Sequence, residues 1–283
     1  MGIKLNAQHN NNYTKELTQW YRQRTTALLA TNGWVNLAGL FWLEPGKNSF
    51  GSDSSNRIVF ADPRMPAEAG YFENENGVIS WVTNTGVTVL DHDSLFRSGI
   101  IYADEKADRL LTLGSFRWNI IKRANKYGVR LRDLASPALE NFKEIERFPV
   151  DTQWCIAAHL EKSTGSDLLI TNVLGQTSAV ASAGRLVFAI HQQTYTLDAM
   201  PEGDKLFIVF GDATSGKETY AAGRFIDVDL PDKNGNTTID FNKAYNPPCA
   251  FTHFATCPLP PKQNILPVKI NAGEKDYQMK SQL

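Results

Sequence analysis

Residues 116–123, Phe-Arg-Trp-Asn-Ile-Ile-Lys-Arg, and residues 129–131, Val-Arg-Leu, are short runs rich in residues that favour β-strands. Similar runs recur from Trp34 onward, and Gly, Asn, Asp and Pro separate them. In the first half of the chain the other runs are Val35 to Leu43, Arg57 to Phe60, Val78 to Val82, Val87 to Leu90 and Arg109 to Leu113. Strands at this spacing predict a β-sandwich or a barrel.

A second set of β-rich runs follows the first. Its members are Cys155 to Leu160, Asp167 to Val173, Arg185 to Ile190, Gln193 to Leu197, Leu206 to Phe210, Ala222 to Val228 and Thr238 to Asp240. Before both sets, Thr14 to Ala30 carries apolar residues at helical spacing, with Thr14 placed as a cap. The sequence therefore predicts a mainly β protein that begins with one long helix.

This pattern predicts four segments. They are an N-terminal helical segment (1–33), a first β domain (34–135), a connector (136–149) and a second β domain (150–283). The second domain is expected to be a sandwich or barrel. Its five prolines between Asp240 and Pro261 predict a rigid C-terminal wrap without sheet structure.

Composition excludes several classes of partner. The 283 residues are 42% hydrophobic, which is typical of a folded globular protein, and the formal net charge is −1 without any run of like charges. This balance argues against nucleic acid or an anionic membrane as the partner. Three cysteines favour a reducing compartment. We expect a soluble cytoplasmic protein, unless a signal peptide was removed, because no apolar run reaches the roughly 20 residues that a membrane span needs.

Residues of the first β domain carry one resemblance. Asn48 to Phe60 and Asp108 to Lys122 resemble strands of a forkhead-associated domain, and the likeness extends over about residues 39–135. That family is a β-sandwich that reads phosphothreonine. The phosphate-binding residues are missing, because Ser52 follows Gly51 where the family has arginine, and Glu68 and Asp91 would repel a phosphate. The resemblance implies the fold, and a phosphopeptide partner is not expected.

A second resemblance covers nearly the whole chain. Residues 211–225, 240–251, 255–261 and 272–275, with 39–43 and 129–133, resemble the bacterial family catalogued as domain of unknown function 1684. The likeness implies no established activity. The chain departs from the family at His253, where proline is common, and at Gly211, where arginine is frequent.

The loop Asp212 to Arg224 is the first candidate site. Arg224 would supply positive charge to a ligand, and Tyr220 would supply an apolar wall. The alternative is a hairpin turn in which the small polar residues bond their own backbone. The two interpretations are weighted equally.

The proline-rich wrap supplies the second candidate. Asn242, Tyr245 and Asn246 would hold a polar group of a ligand, because rigid loops on a scaffold are common binding sites. The alternative, slightly favoured, is that these side chains satisfy the backbone of a long coil.

Cys249, His253 and Cys257 are spaced by four residues each. On one helix they would share a face and offer three zinc ligands. The spacing is wider than in standard zinc pairs, and no fourth ligand is evident. Buried free thiols are therefore favoured over a Cys249–Cys257 disulfide, and the disulfide over a metal.

The sequence leaves three hypotheses about function. The first is a module that binds a small polar or anionic ligand at Arg224, Tyr220, Asn242, Tyr245 and Asn246. The second is a hydrolase that uses Asp212, Glu218 or His253 as acid or base. The third is a structural or protein-interaction module. Whether the chain is an enzyme stays open, and no cofactor is expected, because no nucleophile elbow, metal motif or phosphate loop is present.

Overall fold

The computed structural model describes residues 7–103, 107–123, 125–163, 165 and 167–277. The chain forms two compact units. Unit 1 contains the described residues within 1–27 and 143–283, and unit 2 contains those within 28–142. The four-segment division drawn from the sequence stays a prediction.

The predicted N-terminal helix is confirmed, with different bounds. Helix α1 spans Ala7–Leu29, so Thr14 lies inside it and does not cap it. No Gly or Pro interrupts residues 7–13, so nothing stops the helix before that point. Leu17 and Tyr21, one turn apart, are buried. No helix among the described residues is long and apolar enough to cross a membrane.

Unit 2 is a β-sandwich, as predicted. Its strands are β1 (Leu37–Trp42), β2 (Gly46–Gly51), β3 (Ile58–Val59), β4 (Gly70–Glu75), β5 (Val78–Thr83), β6 (Leu90–Asp91), β7 (Ser94–Leu95), β8 (Ser98–Ala103), β9 (Ala107–Asp108), β10 (Leu111–Leu113), β11 (Phe116–Arg123) and β12 (Lys126–Asp133). One sheet has the order β1-β12-β11-β10-β6-β7, and the other has β3-β2-β4-β5-β8-β9.

Aromatic side chains hold the two sheets of unit 2 together. The ring of Trp118 on β11 lies 5.2 Å from that of Trp81 on β5 and 5.8 Å from that of Phe50 on β2. All three side chains are fully buried. Because side chains alternate along a strand, Arg117 and Asn119 are on the outer face when Phe116, Trp118 and Ile120 point inward.

The second β set forms the curved sheet of unit 1. After the short helix α2 (Pro137–Glu140), the strands are β13 (Cys155–Lys162), β14 (Leu168–Thr171), β15 (Thr177–Val180), β16 (Gly184–Ile190), β17 (Gln193–Glu202), β18 (Lys205–Phe210), β19 (Arg224–Asp229) and β20 (Asn236–Asp240). Six of them follow the order β19-β18-β17-β16-β13-β20, and β14 pairs with β15. The edge strands β19 and β20 approach each other, so the sheet is a nearly closed barrel.

The proline-rich wrap follows β20. Its described part contains 3₁₀ turns at Phe241–Lys243, Pro248–Ala250 and Lys262–Asn264 and no strand of two or more residues. Single bridges tie it to the barrel, at Phe225 with Tyr245 and at Gly211 with Ile265. The barrel core, which includes Phe188, Phe210 and Phe241, lies beneath it.

Candidate functional site

Arg224 and Asp212 form a buried ion pair in unit 1. Arg224 Nη2 lies 2.6 Å from Asp212 Oδ2, and the two side chains are 1% and 0% exposed. The other Asp212 oxygen accepts from the backbone N and the hydroxyl of Thr214, at 2.6 and 2.5 Å. The carboxylate of Asp212 is thus supplied with donors on both oxygens.

Further donors on both Nη atoms of Arg224 are also used inside the unit. They bond the carbonyl oxygens of Ile270 at 3.1 Å, Glu274 at 3.3 Å and Ala272. Burial lowers the pKa of Arg224, and the charge of Asp212 opposes that shift. This geometry corrects the expectation that Arg224 offers its charge to a ligand, because its guanidinium joins the loop after β18 to the C-terminal segment.

The other loop candidates do not gather into one site. Glu218 is exposed and forms an ion pair with Lys269 at 3.2 Å. His253 is exposed as well. Tyr220 is half-buried. Its burial is the main cause that raises its pKa, and the nearby charge of Asp276 raises it further. The backbone bond from Ser215 to the Asp212 carbonyl, at 3.0 Å, supports the hairpin-turn interpretation of this loop.

Asn242 bonds the backbone of Asp151 and a side chain of helix α1. Its Nδ2 donates to the Asp151 carbonyl at 2.8 Å and to the Tyr13 hydroxyl at 2.9 Å. Its Oδ1 accepts from the Asp151 amide at 3.2 Å. Tyr21 donates to the Asn242 carbonyl. These contacts are those of a buried structural amide, and they anchor helix α1 to the wrap.

Asn246 is partly satisfied. Its Nδ2 donates to the Lys275 carbonyl at 2.7 Å, and its backbone N donates to Glu274 Oε2 at 2.7 Å. Its Oδ1 is buried without a hydrogen-bond partner in the described structure. Glu274 in turn binds Arg24 of helix α1 through both carboxylate oxygens. Asn246 therefore helps to hold Glu274, the residue that binds Arg24.

Tyr245 leads to a group of side chains that the sequence did not single out. Its hydroxyl lies 3.3 Å from both carboxylate oxygens of Asp227 on β19. The guanidinium of Arg24 lies over its ring at 4.4 Å, and the Trp20 ring lies 6.2 Å away. Tyr245, Trp20 and Asp227 are all half-buried.

Strand register adds Phe207 and Glu202 to this group. Asp227 pairs with Phe207 on β18, and Phe207 pairs with Met200 on β17, so the three share one face of the sheet. Glu202 lies two residues after Met200 on β17, and therefore on that same face. The ring of Phe207 is half-buried and stacks edge-to-face on Phe225 at 4.9 Å. We call Asp227, Glu202, Tyr245, Phe207 and Trp20 the acidic aromatic face.

The carboxyl groups of the acidic aromatic face have displaced pKa values. Burial raises the pKa of Asp227, while the hydrogen bond from Tyr245 and the charges of Lys205 and Arg24 lower it. Burial and the charge of Asp227 raise the pKa of Glu202. Burial is also the main cause that raises the pKa of Tyr245. The two carboxyl groups are thus less stabilised in their charged forms than in water.

Asp227 was not predicted as a site residue, because its position in a strand pattern is typical of an ordinary surface residue. In Arg224–Asp229 the two aspartates alternate with apolar residues, which is typical of solvent-facing positions. Asp229 fits that interpretation, but Asp227 is covered by Tyr245 of the wrap. The one available clue was an acid directly between Ile226 and Val228.

The structure joins Cys249 and Cys257 in a disulfide, with Cα atoms 6.1 Å apart. This corrects the preference for free thiols, and it removes both thiolates from the zinc hypothesis. The prolines are the physical reason, because the segment forms a single 3₁₀ turn at Pro248–Ala250 where the zinc geometry needs a continuous helix. No group of three His, Cys, Asp or Glu able to hold a metal occurs in the described residues. Cys155 is free.

Two kinds of comparison with known proteins give matches. The family model "Protein of unknown function (DUF1684)" matches residues 140–275, just under half of the chain. A solution NMR structure of an uncharacterized protein from Haloarcula marismortui is 28% identical, with 50% of this chain and 80% of that chain covered and a TM-score of 0.42. No curated protein matches. The acidic aromatic face, apart from Trp20, lies within the matched range.

Proposed function

We propose that unit 1 binds a small organic cation, an amine or a guanidinium, at the acidic aromatic face. One observation carries the proposal. The half-buried carboxylate of Asp227 receives its hydrogen bond from Tyr245 alone among the described residues, and that bond is long, at 3.3 Å to each oxygen. A carboxylate has about four acceptor positions, so most of its capacity is unused.

The surroundings of Asp227 suit a cation that carries an apolar group. Phe207, directly opposite Asp227 in the sheet, and Trp20, near the Tyr245 ring, offer aromatic surface, and aromatic faces attract cations. A bound ammonium would supply the donors that Asp227 lacks and would offset the burial of its charge. The ligand expected from the sequence was polar or anionic; the polar part is kept and the sign of the charge is reversed.

The buried ion pair of Arg224 and Asp212 gives no support to an anion site or to acid–base chemistry at Asp212. Both side chains are buried and bonded to each other, so neither Arg224 nor Asp212 can reach a ligand without breaking the pair. The hydrolase hypothesis based on Asp212, Glu218 and His253 is not carried further.

Three finer expectations stay predictions. They are the forkhead-associated likeness of unit 2, the bacterial origin and the cytoplasmic location. The Cys249–Cys257 disulfide argues against the last of these, because disulfides persist mainly in oxidising compartments.

Calorimetric titration tests the proposal with benzylamine as the cation and benzyl alcohol as its neutral counterpart. We expect wild-type protein to bind the amine and not the alcohol. Asp227→Asn should weaken amine binding roughly 10- to 100-fold, because a hydrogen bond to a charged group contributes about 1.5–3 kcal/mol.

Asp229→Asn is the matched control. Asp229 is on the same strand and the same face but is exposed, in an ion pair with Lys205 at 3.4 Å. This variant removes an equal charge and should leave amine binding within about twofold, since exposed pairs contribute little. Equal losses in the two variants, or equal binding of amine and alcohol by the wild type, would refute the proposal.

A further inference from the structure

The hairpin of β14 and β15 in unit 1 leaves one strand edge open. On one side β14 pairs with β15, and on its other side it bonds the wrap, where the Leu259 amide donates to the Thr171 carbonyl at 2.8 Å. Within the described structure β15 pairs with β14 and with no other strand. The first three residues of β15, Thr177 to Ala179, are exposed. The outer side of β15 is thus the free edge of a two-stranded sheet.

The hydrogen bonds of the hairpin show which residues of β15 face that edge. Opposite residues in an antiparallel pair alternate between hydrogen-bonded and non-hydrogen-bonded pairs. Because the Thr171 carbonyl faces the wrap, Thr171 and Thr177 form a non-hydrogen-bonded pair, and their hydroxyls meet at 2.8 Å. Leu169 and Ala179, the second pair along, are of the same kind. Thr177 and Ala179 therefore direct their N–H and C=O groups outward, where no described residue bonds them.

The open edge has no protection against pairing with another strand. Natural proteins usually protect exposed edges with charges, prolines or bulges. Residues 168–184 contain no charged residue and no proline, in a chain that is 21% charged. The register of the hairpin is regular, without a bulge. Three large apolar side chains of the hairpin are also exposed, Leu169, Val173 and Leu174. Such an edge is typical of a strand that pairs with another chain.

We propose that β15 pairs antiparallel with β15 of a second copy of this chain, which joins the two hairpins into one continuous sheet across a two-fold axis. With the axis beside Ser178, Thr177 of each copy lies opposite Ala179 of the other. Both of these pairs are then hydrogen-bonded pairs, so every outward N–H of one copy meets an outward C=O of the other.

Two features favour a second copy over an unrelated extended peptide. The outward residues Thr177 and Ala179 are placed symmetrically about Ser178, so the edge is complementary to itself. The absence of charge over residues 168–184 removes the repulsion that two identical charged edges would have. Because one pair of short strands forms a small interface, we expect an equilibrium between monomer and dimer that depends on concentration.

Two measurements on the wild type test the association and its place. Sedimentation velocity over a concentration series should show the average mass rising from monomer toward dimer. Hydrogen exchange, followed by NMR across the same series, should show the amides of Thr177 and Ala179 slowing at least tenfold as the dimer forms, because their N–H groups gain acceptors. The amide of Ser178, which faces β14 in both states, should slow less.

Charges at the two outward residues give matched variants. Thr177→Lys combined with Ala179→Lys places lysines directly opposite each other across the axis and should weaken the dimer at least tenfold. Thr177→Lys combined with Ala179→Glu changes the same exposed positions but places opposite charges across the axis, so it should keep the dimer. Both variants should keep the wild-type unfolding temperature in dilute solution, since the altered side chains lie in water.

Three results would overturn the proposal. They are a wild type that stays monomeric throughout the series, a dimer that leaves the Thr177 and Ala179 amides unprotected, and equal association of the two charge variants. Neither residue belongs to the acidic aromatic face, so benzylamine binding should be the same in both variants as in the wild type. Failure of the dimer therefore leaves the proposed cation site standing, and failure of the cation site leaves the dimer standing.

Discussion

Asp212 and Asp227 belong to the same unit, fifteen residues apart, and their surroundings are opposite. Asp212 is fully buried, with Arg224 at 2.6 Å and Thr214 bonding its second oxygen. Asp227 is half-buried and has one long hydrogen bond, from Tyr245. A concentration of polar residues therefore does not mark a site by itself. What distinguishes the two is the hydrogen-bonding capacity left unused after folding.

The largest effect on stability is expected at the buried pair of Arg224 and Asp212. Arg224→Met leaves the Asp212 carboxylate buried and unpaired, and it removes the donors to three carbonyl oxygens. We expect a loss of about 3–5 kcal/mol in the free energy of unfolding, measured by urea denaturation. Lys269→Met, which breaks an exposed pair with Glu218, should cost no more than about 1 kcal/mol. Similar small losses in both variants would erase the contrast between Asp212 and Asp227.

The next effect concerns the wrap that carries Tyr245. The Cys249–Cys257 disulfide closes a short loop within it. Replacing both cysteines with serine should lower the free energy of unfolding by about 2.5 kcal/mol, the loop-closure value for a loop of this length. Reductant should destabilise the wild type comparably and leave the double variant unaffected. Insensitivity of the wild type to reductant would show that the wrap is held without the disulfide.

The smallest effect concerns the pH dependence of stability at Asp227. Its pKa is raised in the folded protein, so the folded state holds the proton more tightly than the unfolded chain does. Its contribution to stability is complete below the ordinary aspartate pKa and is lost as the pH rises through the folded-state pKa. Relative to the wild type, Asp227→Asn should therefore gain stability over this window and keep the gain at neutral pH.

Denaturation midpoints of wild type, Asp227→Asn and Asp229→Asn between pH 3 and pH 8 check this sign. The exposed Asp229 should show no comparable gain, because it lies in water. If Asp227→Asn instead loses stability as the pH rises, the Asp227 carboxylate is already well satisfied in the folded protein, and the contrast with Asp212 fails.

Much of the architecture follows from sequence pattern. The helix, the sandwich, the barrel-like sheet and the strand-free wrap were all predicted from periodicity and proline content. The residue pattern alone did not predict the strands at Gly46–Gly51 and Gly70–Glu75, because each begins with glycine and carries several polar residues; the forkhead-associated resemblance pointed to a strand in the first region only. Their strand structure depends on pairing with each other in the sheet, which local composition does not reveal.

The sites were less predictable, because their contacts join distant parts of the chain. Arg224 meets carbonyl groups that lie 46 to 50 residues later, and these occupy the charge that the sequence suggested was available. Tyr245 was predicted as a site residue, but its partner Asp227 lies 18 residues earlier in a strand. Whether a buried polar group keeps unused hydrogen-bonding capacity depends on contacts between distant residues. The spacing of residues along the sequence does not predict it.

The pKa of Asp227 reports directly on whether its half-buried carboxylate lacks hydrogen-bond donors. Carbon-13 NMR of aspartate carboxyl groups, with Asp227→Asn used for assignment, follows its titration with and without saturating benzylamine. We expect a pKa above the ordinary aspartate value in the free protein and a lower pKa with the amine bound, because a cation favours the charged carboxylate. An ordinary pKa that the amine leaves unchanged would contradict this expectation.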